Sequence, residues 1–432
     1  MNTDSFVGYE GIAPVGPEVN FTKISNTQLH KLGLKPGAGK MVDQLDDLWR
    51  DPPNIIIAKC LKSTGFVQNN FKHQTIRKKV HYVMGLGIYQ QLVIDKRTGA
   101  KVLGPGQMKF RNLYRPYRGQ NMDGKTILVW RTGGIGDLGF IQPNLRYLKQ
   151  KYPTCKIWFA CGPQYQAMVD NWDCIDLLLD LPFPVTHLQR ADYHALFEGV
   201  IERCKEAHTT NAYHLFSRWL GLDLPDELLV PHNVPKEEKL VKCREVLKSW
   251  DVDEKGYIVL QLRASSPIRT PRPEMWRKVV NILTHRGHKV VITDSPRMGK
   301  MIDDFKGIVD KPEMVFNFAH HSETLDCTIA LASLAKLVVA TDSALIHLAA
   351  SLGTPSFGIY GPFPGNIRMT TYKNSDWTDC QAPCSPCFLH GSQPCVKNVK
   401  GHGICYDNLN VQEMIFKIER LLNDKNNDDC QK

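Results

Sequence analysis

The run Thr126-Ile-Leu-Val-Trp-Arg131, followed by Thr132-Gly-Gly-Ile-Gly-Asp137-Leu-Gly139, constrains the fold more than any other part of this chain. The apolar residues 127–130 suit a strand of a parallel sheet that is covered on both faces. Gly133, Gly134 and Gly136 then permit a sharp turn and a close approach of backbone to a ligand. A helical pattern follows, so Asp137 is expected near a helix N-terminus, where the helix dipole favours negative charge. The sequence predicts a strand, a turn and a helix that present one carboxylate.

From residue 125 the pattern alternates between β and α. Strands are expected at 126–131, 156–160 and 176–180, with helices at 138–151 and 163–171. Pro231 and Pro235 then mark a linker, and a charged helix follows at 236–249. A second series has strands at 257–262, 289–293, 337–340 and 356–359, helices at 273–286, 323–335 and 343–352, and a last helix at 411–423. Such alternation implies parallel sheets wound on both faces, hence two Rossmann-like α/β domains, 125–233 and 234–432, facing a cleft. Residues 1–124 read differently. One helix is expected around Gly39–Arg50, and the runs Val80–Val83 and Tyr89–Ile94 suggest strands of a small β-rich module.

The net charge of +10 is unevenly spread. Residues 1–125 hold 19 Lys and Arg against 9 Asp and Glu, which leaves 126–432 neutral with 35 of each sign. Between 59 and 125 there are 14 basic side chains and only Asp95 and Asp123 as acids. A basic extension therefore precedes a neutral body. No stretch approaches the roughly 20 apolar residues needed to span a bilayer, and the N-terminus lacks the basic start and apolar core of a signal peptide. The expected address is the cytoplasm, where most of the thirteen cysteines would be buried thiols rather than disulfides.

Gly134-Ile-Gly136-Asp-Leu-Gly139 formally satisfies G-x-G-x-x-G after a strand. A dinucleotide site also wants an acid at the end of the second strand to hold a ribose, and here that strand ends in Phe159-Ala-Cys161-Gly162. This speaks against a dehydrogenase. A second site is Thr341-Asp342-Ser343-Ala344-Leu-Ile-His347, a strand leading into a helix. Asp342 or Ser343 is expected to cap that helix, leaving N–H groups that favour a phosphate. His347 lies one turn above Ser343 on the same side, placed to donate to the same anion.

Together the two sites resemble glycosyltransferase family nine, the lipopolysaccharide heptosyltransferase family, over about residues 125–420. The first signature is met by Arg131-Thr-Gly-Gly-Ile-Gly-Asp137 with Pro143 and Leu148, and the second by Asp342, Ser343, His347, Ala349, Ala350, Gly353 and Pro355. Ala344 replaces the usual glycine. The resemblance implies a GT-B fold, with the acceptor held by the first domain and a nucleotide-diphosphate sugar by the second. It implies inverting transfer without a metal. Asp137 is then the candidate base that deprotonates the acceptor hydroxyl, with Gly133, Gly134 and Gly136 as an acceptor-side loop. The departing diphosphate is assigned to Thr341, Asp342, Ser343, Ala344 and His347, with Arg263 and Arg269 as phosphate ligands. Asp251-Val-Asp253 fits a metal-binding D-x-D by letters but reads as a solvated turn.

Cys380, Cys384, Cys387, Cys395 and Cys405 form a late cluster with one CxxC, enough sulfur for a structural zinc at Cys380, Cys384, Cys387 and Cys395 or else a set of free thiols. The resemblance leaves residues 1–124 unmatched. There basic side chains interleave with aromatics in Lys109-Phe-Arg-Asn-Leu-Tyr114-Arg-Pro-Tyr117-Arg118 and Phe71–Lys79, a composition suited to tracking phosphates and stacking bases, or simply a solvated face. Three classes follow: transfer to an anionic glycoconjugate such as a lipopolysaccharide core, transfer to hydroxymethylated bases of phage-type DNA, or a non-catalytic nucleotide-sugar-binding protein.

Overall fold

The computed structural model describes residues 21–22, 41–49, 55–68, 72–85, 88–89, 92, 94–95, 101–105, 108, 110–389, 395, 397 and 402–428, and the statements below concern these. They form two compact units. A C-terminal unit takes Gly134–Phe140 with the chain from Leu229 onward, and an N-terminal unit takes the described residues before Gly134 with Ile141–Leu228.

Besides the two-residue strand Phe21–Thr22, which pairs with Ile94–Asp95, the N-terminal unit has Ile55–Cys60 (β1), a hairpin of Thr64–Gln68 (β2) and Lys72–Ile76 (β3), then His81–Gly85 (β4) and Leu103–Pro105 (β5). A parallel sheet follows from Thr126–Trp130 (β6), Lys156–Cys161 (β7) and Leu177–Asp180 (β8), with Ile135–Lys151 (α1) crossing between β6 and β7. Phe183–Pro184 (β9) returns to the first sheet, giving the order β9-β4-β1-β5, all antiparallel. Tyr193–Leu196 (β10) then joins the parallel sheet, whose order is β8-β7-β6-β10.

A parallel sheet needs apolar cover on both faces. One face of this sheet, carrying Leu128, Trp130, Ala160 and Leu196, packs against Ile57 of β1, Val83 of β4 and Phe110. The other face of the small sheet, carrying Ile56, Ala58, Tyr82 and Met84, has its own core with Tyr89 and Leu92. The expected strand Tyr89–Ile94 is not found. Ile88, Tyr89 and Leu92 are helical, strand structure is confined to Ile94–Asp95, and the intervening residues lie outside those described. Their apolar spacing places these residues on one helical face against the core, which outweighs the alternation that suggested a strand. Leu45–Trp49 forms a 3-10 helix, and the expected helix 163–171 is a 3-10 turn, Pro163–Tyr165, followed by the short α-helix Gln166–Val169.

The C-terminal unit begins with Glu237–Ser249 (α4), numbered after Val185–Arg190 (α2) and Ala212–Trp219 (α3) of the first unit. It continues through Tyr257–Gln261 (β11), Pro273–His285 (α5), Lys289–Ile292 (β12), Gly299–Lys306 (α6) and Val315–Asn317 (β13). Leu325–Ser333 (α7), Leu337–Thr341 (β14), Ala344–Ser351 (α8), Ser356–Tyr360 (β15), Ser375–Asp379 (β16) and Val411–Asp428 (α9) complete it. All six strands are parallel in the order β13-β12-β11-β14-β15-β16.

Both parallel sheets reverse their winding direction beside the first strand. The reversal falls between β6 and β10 in one unit and between β11 and β14 in the other. At such switch points adjacent crossovers leave on opposite faces, and the strands' carboxyl ends open a ligand crevice. The motifs at Arg131–Asp137 and Thr341–His347 begin at these two places.

Candidate active site

In the N-terminal unit the switch point is bridged by polar bonds. Arg131, 2 % exposed, donates from Nε to the Gly133 carbonyl at 2.9 Å, from Nη1 to the Phe197 carbonyl at 2.6 Å, and pairs with Glu202 at 2.5 Å. The Thr132 N–H donates to the Glu198 carboxylate just beyond β10. Burial pushes the Glu198 carboxyl up, and neighbouring Arg131 counters part of that rise. The start of the glycine turn is thereby fastened to the strand across the reversal.

Gly134 is in the left-handed region at φ +83° and accepts from the Leu138 N–H at 3.1 Å. The Asp137 side chain folds back over it, so a Cβ at Gly134 would lie 2.8 Å from Asp137 Cγ. Half-buried Asp137 therefore sits in the first turn of α1, as its place in the sequence predicts. The edge of the His347 ring faces Gly136, and a Cβ there would lie 3.3 Å from His347 Nε2.

In the C-terminal unit, Ser343 occupies the N-cap position of α8, but its hydroxyl donates to Gln261 Oε1 at 2.8 Å instead of accepting a helix N–H. The expected capping bond is absent because the extended backbone at Ser343 directs the hydroxyl across the switch point to the end of β11. The leading amides of α8 thus have no side-chain cap from this residue. Asp342 is 4 % exposed, and Arg269 Nη1 donates to its carbonyl at 3.0 Å and lies 3.5 Å from its carboxylate. Beside it, Thr341 Oγ1 and Tyr360 Oη are buried without a protein hydrogen-bond partner.

His347 is buried, packs edge-to-face on Phe140 at 4.7 Å, and shares a hydrogen bond from Nδ1 with the Tyr372 hydroxyl. Burial lowers its pKa to about 4, against the opposing pull of Asp342, so the ring is neutral at pH 7. Arg269, Asp342, Ser343 and Ala344 are brought together. Arg263 points elsewhere, its guanidinium meeting Met298 and lying close enough to Asp294 to counter part of the rise that burial gives that acid's pKa.

A small open recess lies at the strand ends, lined by Gln261, Thr293, Asp294, Thr328, Ala344 and Leu345 among others. Asp294 stands two residues past β12, the second strand of its Rossmann sheet, and burial raises its pKa despite the Ser295 N–H and Arg263. This is where a Rossmann fold places the acid for a ribose. The same rule, extended from the first domain to the second, finds Thr293-Asp294 in the sequence at the end of the strand 289–293. Gln261 has no such signal, since a polar residue ending an apolar strand carries no motif of its own.

Among the described residues no group of three or more His, Cys, Asp and Glu is arranged to hold a metal ion. Cys380 and Cys405 belong to the apolar core of the C-terminal unit, whereas Cys384 is exposed. The aromatics of the basic extension are likewise not free to stack bases. Phe110 and Tyr117 are 7 % and 1 % exposed, and Tyr114 stacks on His194 at 5.6 Å because the segment covers the edge of β10. Lys109 and Phe71 lie outside the described residues. Among the described residues no helix is long and apolar enough to cross a membrane.

Residues 200–394 match the family described as glycosyltransferase family 9 (heptosyltransferase). The two Rossmann-like units have a fold of the GT-B type. The chain's fold is similar to that of a glycosyl transferase family 9 protein from Veillonella parvula, with a TM-score of 0.56 at 16 % identity, covering 71 % of this chain and 99 % of that one. It is also similar to the ADP-heptose lipopolysaccharide heptosyltransferase II of Escherichia coli, with a TM-score of 0.52 at 16 % identity, covering 70 % and 99 %. No curated protein sequence matches the chain.

Proposed function

We propose that the protein moves a sugar, with inversion and without a catalytic metal, from a nucleotide-diphosphate sugar to a hydroxyl of an anionic glycoconjugate such as a lipopolysaccharide core. The observation that carries this reading is the clustering of anion-binding groups at one switch point. Arg269, the start of α8 that the Ser343 hydroxyl leaves without a cap, and the orphaned Thr341 hydroxyl surround buried Asp342, and the recess next to them holds Asp294. A cation and free N–H groups stabilise a departing diphosphate as its charge develops. Asp294 and Gln261 are suited to ribose hydroxyls and to the polar edge of the nucleoside. The donor described for one similar structure, ADP-heptose, has this chemistry.

Asp137 is assigned as the base. It accepts the acceptor hydroxyl's proton while that oxygen bonds to the anomeric carbon, and the bond from carbon to phosphate oxygen breaks with its electron pair leaving on the nucleoside diphosphate. The glycine turn supports the role by setting the carboxylate over Gly134, and the contact of Gly136 with the His347 ring brings that turn to the 342–347 signature within one compact unit.

The test is Asp137→Asn in the full-length protein, with products from a panel of nucleotide sugars followed by mass spectrometry and nucleotide affinity by calorimetry. Transfer should fall by at least about 10³-fold, as expected for loss of a positioned base, with affinity nearly unchanged. Retained turnover refutes the assignment.

A further inference from the structure

The N-terminal unit carries a basic surface that the transfer reaction does not use. Lys59, Lys62, Arg77, Lys78, Lys79 and Lys101 are scattered over more than forty residues of sequence, yet the small sheet gathers them at one end and all six are exposed. Backbone bonds fix the arrangement. Lys59 lies between His81 and Gly104 in the sheet, the Lys79 N–H donates to the Cys60 carbonyl at 2.8 Å, and the Lys78 N–H donates to Ser63 Oγ at 2.8 Å. The Leu61 N–H donates to the Val102 carbonyl at 2.8 Å, which sets Lys101 beside Lys62. None of the six forms an ion pair with another described residue. Amid them Leu61 is 38 % exposed, one of the few large apolar side chains on the surface.

We infer that this sheet end is a docking surface for an anionic lipid membrane. Gathered cations are attracted to acidic headgroups and release their counterions, while an apolar side chain at their centre gains by entering the boundary between headgroups and acyl chains. A nucleic acid would also satisfy the charge, but Leu61 would be idle on a phosphate backbone. Among the described aromatics of the extension, Phe110 and Tyr117 are buried and Tyr114 is stacked on His194. The inference goes beyond sugar transfer and does not depend on it: a surface of this kind holds the enzyme where a lipid-linked acceptor is displayed.

The test is sedimentation of the full-length protein with phosphatidylcholine vesicles, with and without phosphatidylglycerol, and titration with a labelled DNA duplex. Binding should require phosphatidylglycerol and weaken with salt. Each lysine removed near an acidic surface should lower partitioning about five-fold, so Lys62→Gln, Lys78→Gln and Lys79→Gln together should lower it by about 100-fold. Leu61→Ser should weaken vesicle binding with all charges kept. Circular dichroism confirms folding of these surface variants. Equal binding to both kinds of vesicle overturns the proposal. So does tighter binding to the duplex, unaffected by Leu61→Ser, which would make the surface a nucleic-acid site. Because the readout is partitioning, neither failure touches the transferase reading, and loss of transfer in Asp137→Asn leaves this one standing.

Discussion

Replacing Gly134 by alanine should damage chemistry more than stability. Gly134 has φ +83°, where an L-residue costs about 1–2 kcal/mol. A methyl there would also meet the Asp137 carboxylate, with Cγ only 2.8 Å away, so the side chain must swing aside. Moving a reacting group by about 1 Å typically costs about 100-fold in rate, or about 2.7 kcal/mol of transition-state stabilisation. Gly133→Ala is the matched control. Its φ lies outside the left-handed region, and the added methyl would meet only Tyr165 Oη at 3.7 Å, an ordinary contact. The assay is kcat and KM for the nucleotide sugar, with urea unfolding in parallel. We expect Gly134→Ala to lose about 100-fold in kcat with little change in donor KM, and Gly133→Ala to lose far less. If Gly134→Ala is destabilised as calculated but keeps kcat within about three-fold of the parent, the position of Asp137 does not set the rate, and the reasoning fails.

Arg269→Ala should weaken binding of a nucleoside diphosphate by about 10- to 100-fold by calorimetry, since a charged hydrogen bond is worth about 1.5–3 kcal/mol, and an unchanged affinity would remove Arg269 from the donor site. Burial lowers the pKa of His194 to about 4, and its neutral tautomer is fixed, with Nδ1 accepting from the Arg115 N–H at 2.7 Å and Nε2 donating to the Leu188 carbonyl at 2.8 Å. Because its folded pKa lies below the unfolded value, the stability it confers is full above about pH 6.5 and is lost as pH falls toward 4, by about 2 kcal/mol at pH 5. Urea unfolding at pH 7 and pH 5 should show this difference shrinking in His194→Gln, and an identical pH dependence in both proteins would refute it.

Much of the fold is legible wherever burial on both faces forces a continuous apolar strand. β6, β11 and β14 are such runs, and each observed strand falls within a residue or two of its expected span. β10, β13 and β16 were not foreseen. They are short or lie at sheet edges, and Ser375-Asp-Trp-Thr-Asp379 has only partly covered residues, so no apolar pattern announces it. At the site, the glycine turn and Asp137 could be read because backbone geometry demands glycine there. What Ser343 and Arg131 bind could not, since Gln261 lies 82 residues from Ser343 and Glu202 lies 71 from Arg131, and only the sheet order makes them neighbours. The basic extension misled in one respect. Alternating cations and rings look the same whether the rings stack on a ligand or, as with Phe110 against Trp130 at 5.7 Å, fill a core.

The way Ile57, Val83 and Phe110 cover Leu128 and Trp130 also governs how the enzyme can be cut. A fragment starting at residue 125, where the glycosyltransferase pattern begins, would lose Ile57, Val83 and Phe110 and keep Phe183, Val185 and Leu188 over this face. Trp130, 1 % exposed in the intact chain, would keep Phe183 but lose Phe110 and so be partly uncovered on the sheet face. Such a fragment should be recovered as aggregate, whatever it would otherwise bind or transfer. A protease nick in this stretch would inactivate the enzyme without touching any residue that meets its substrates. The extension is thus a wall of the N-terminal unit rather than an accessory to it.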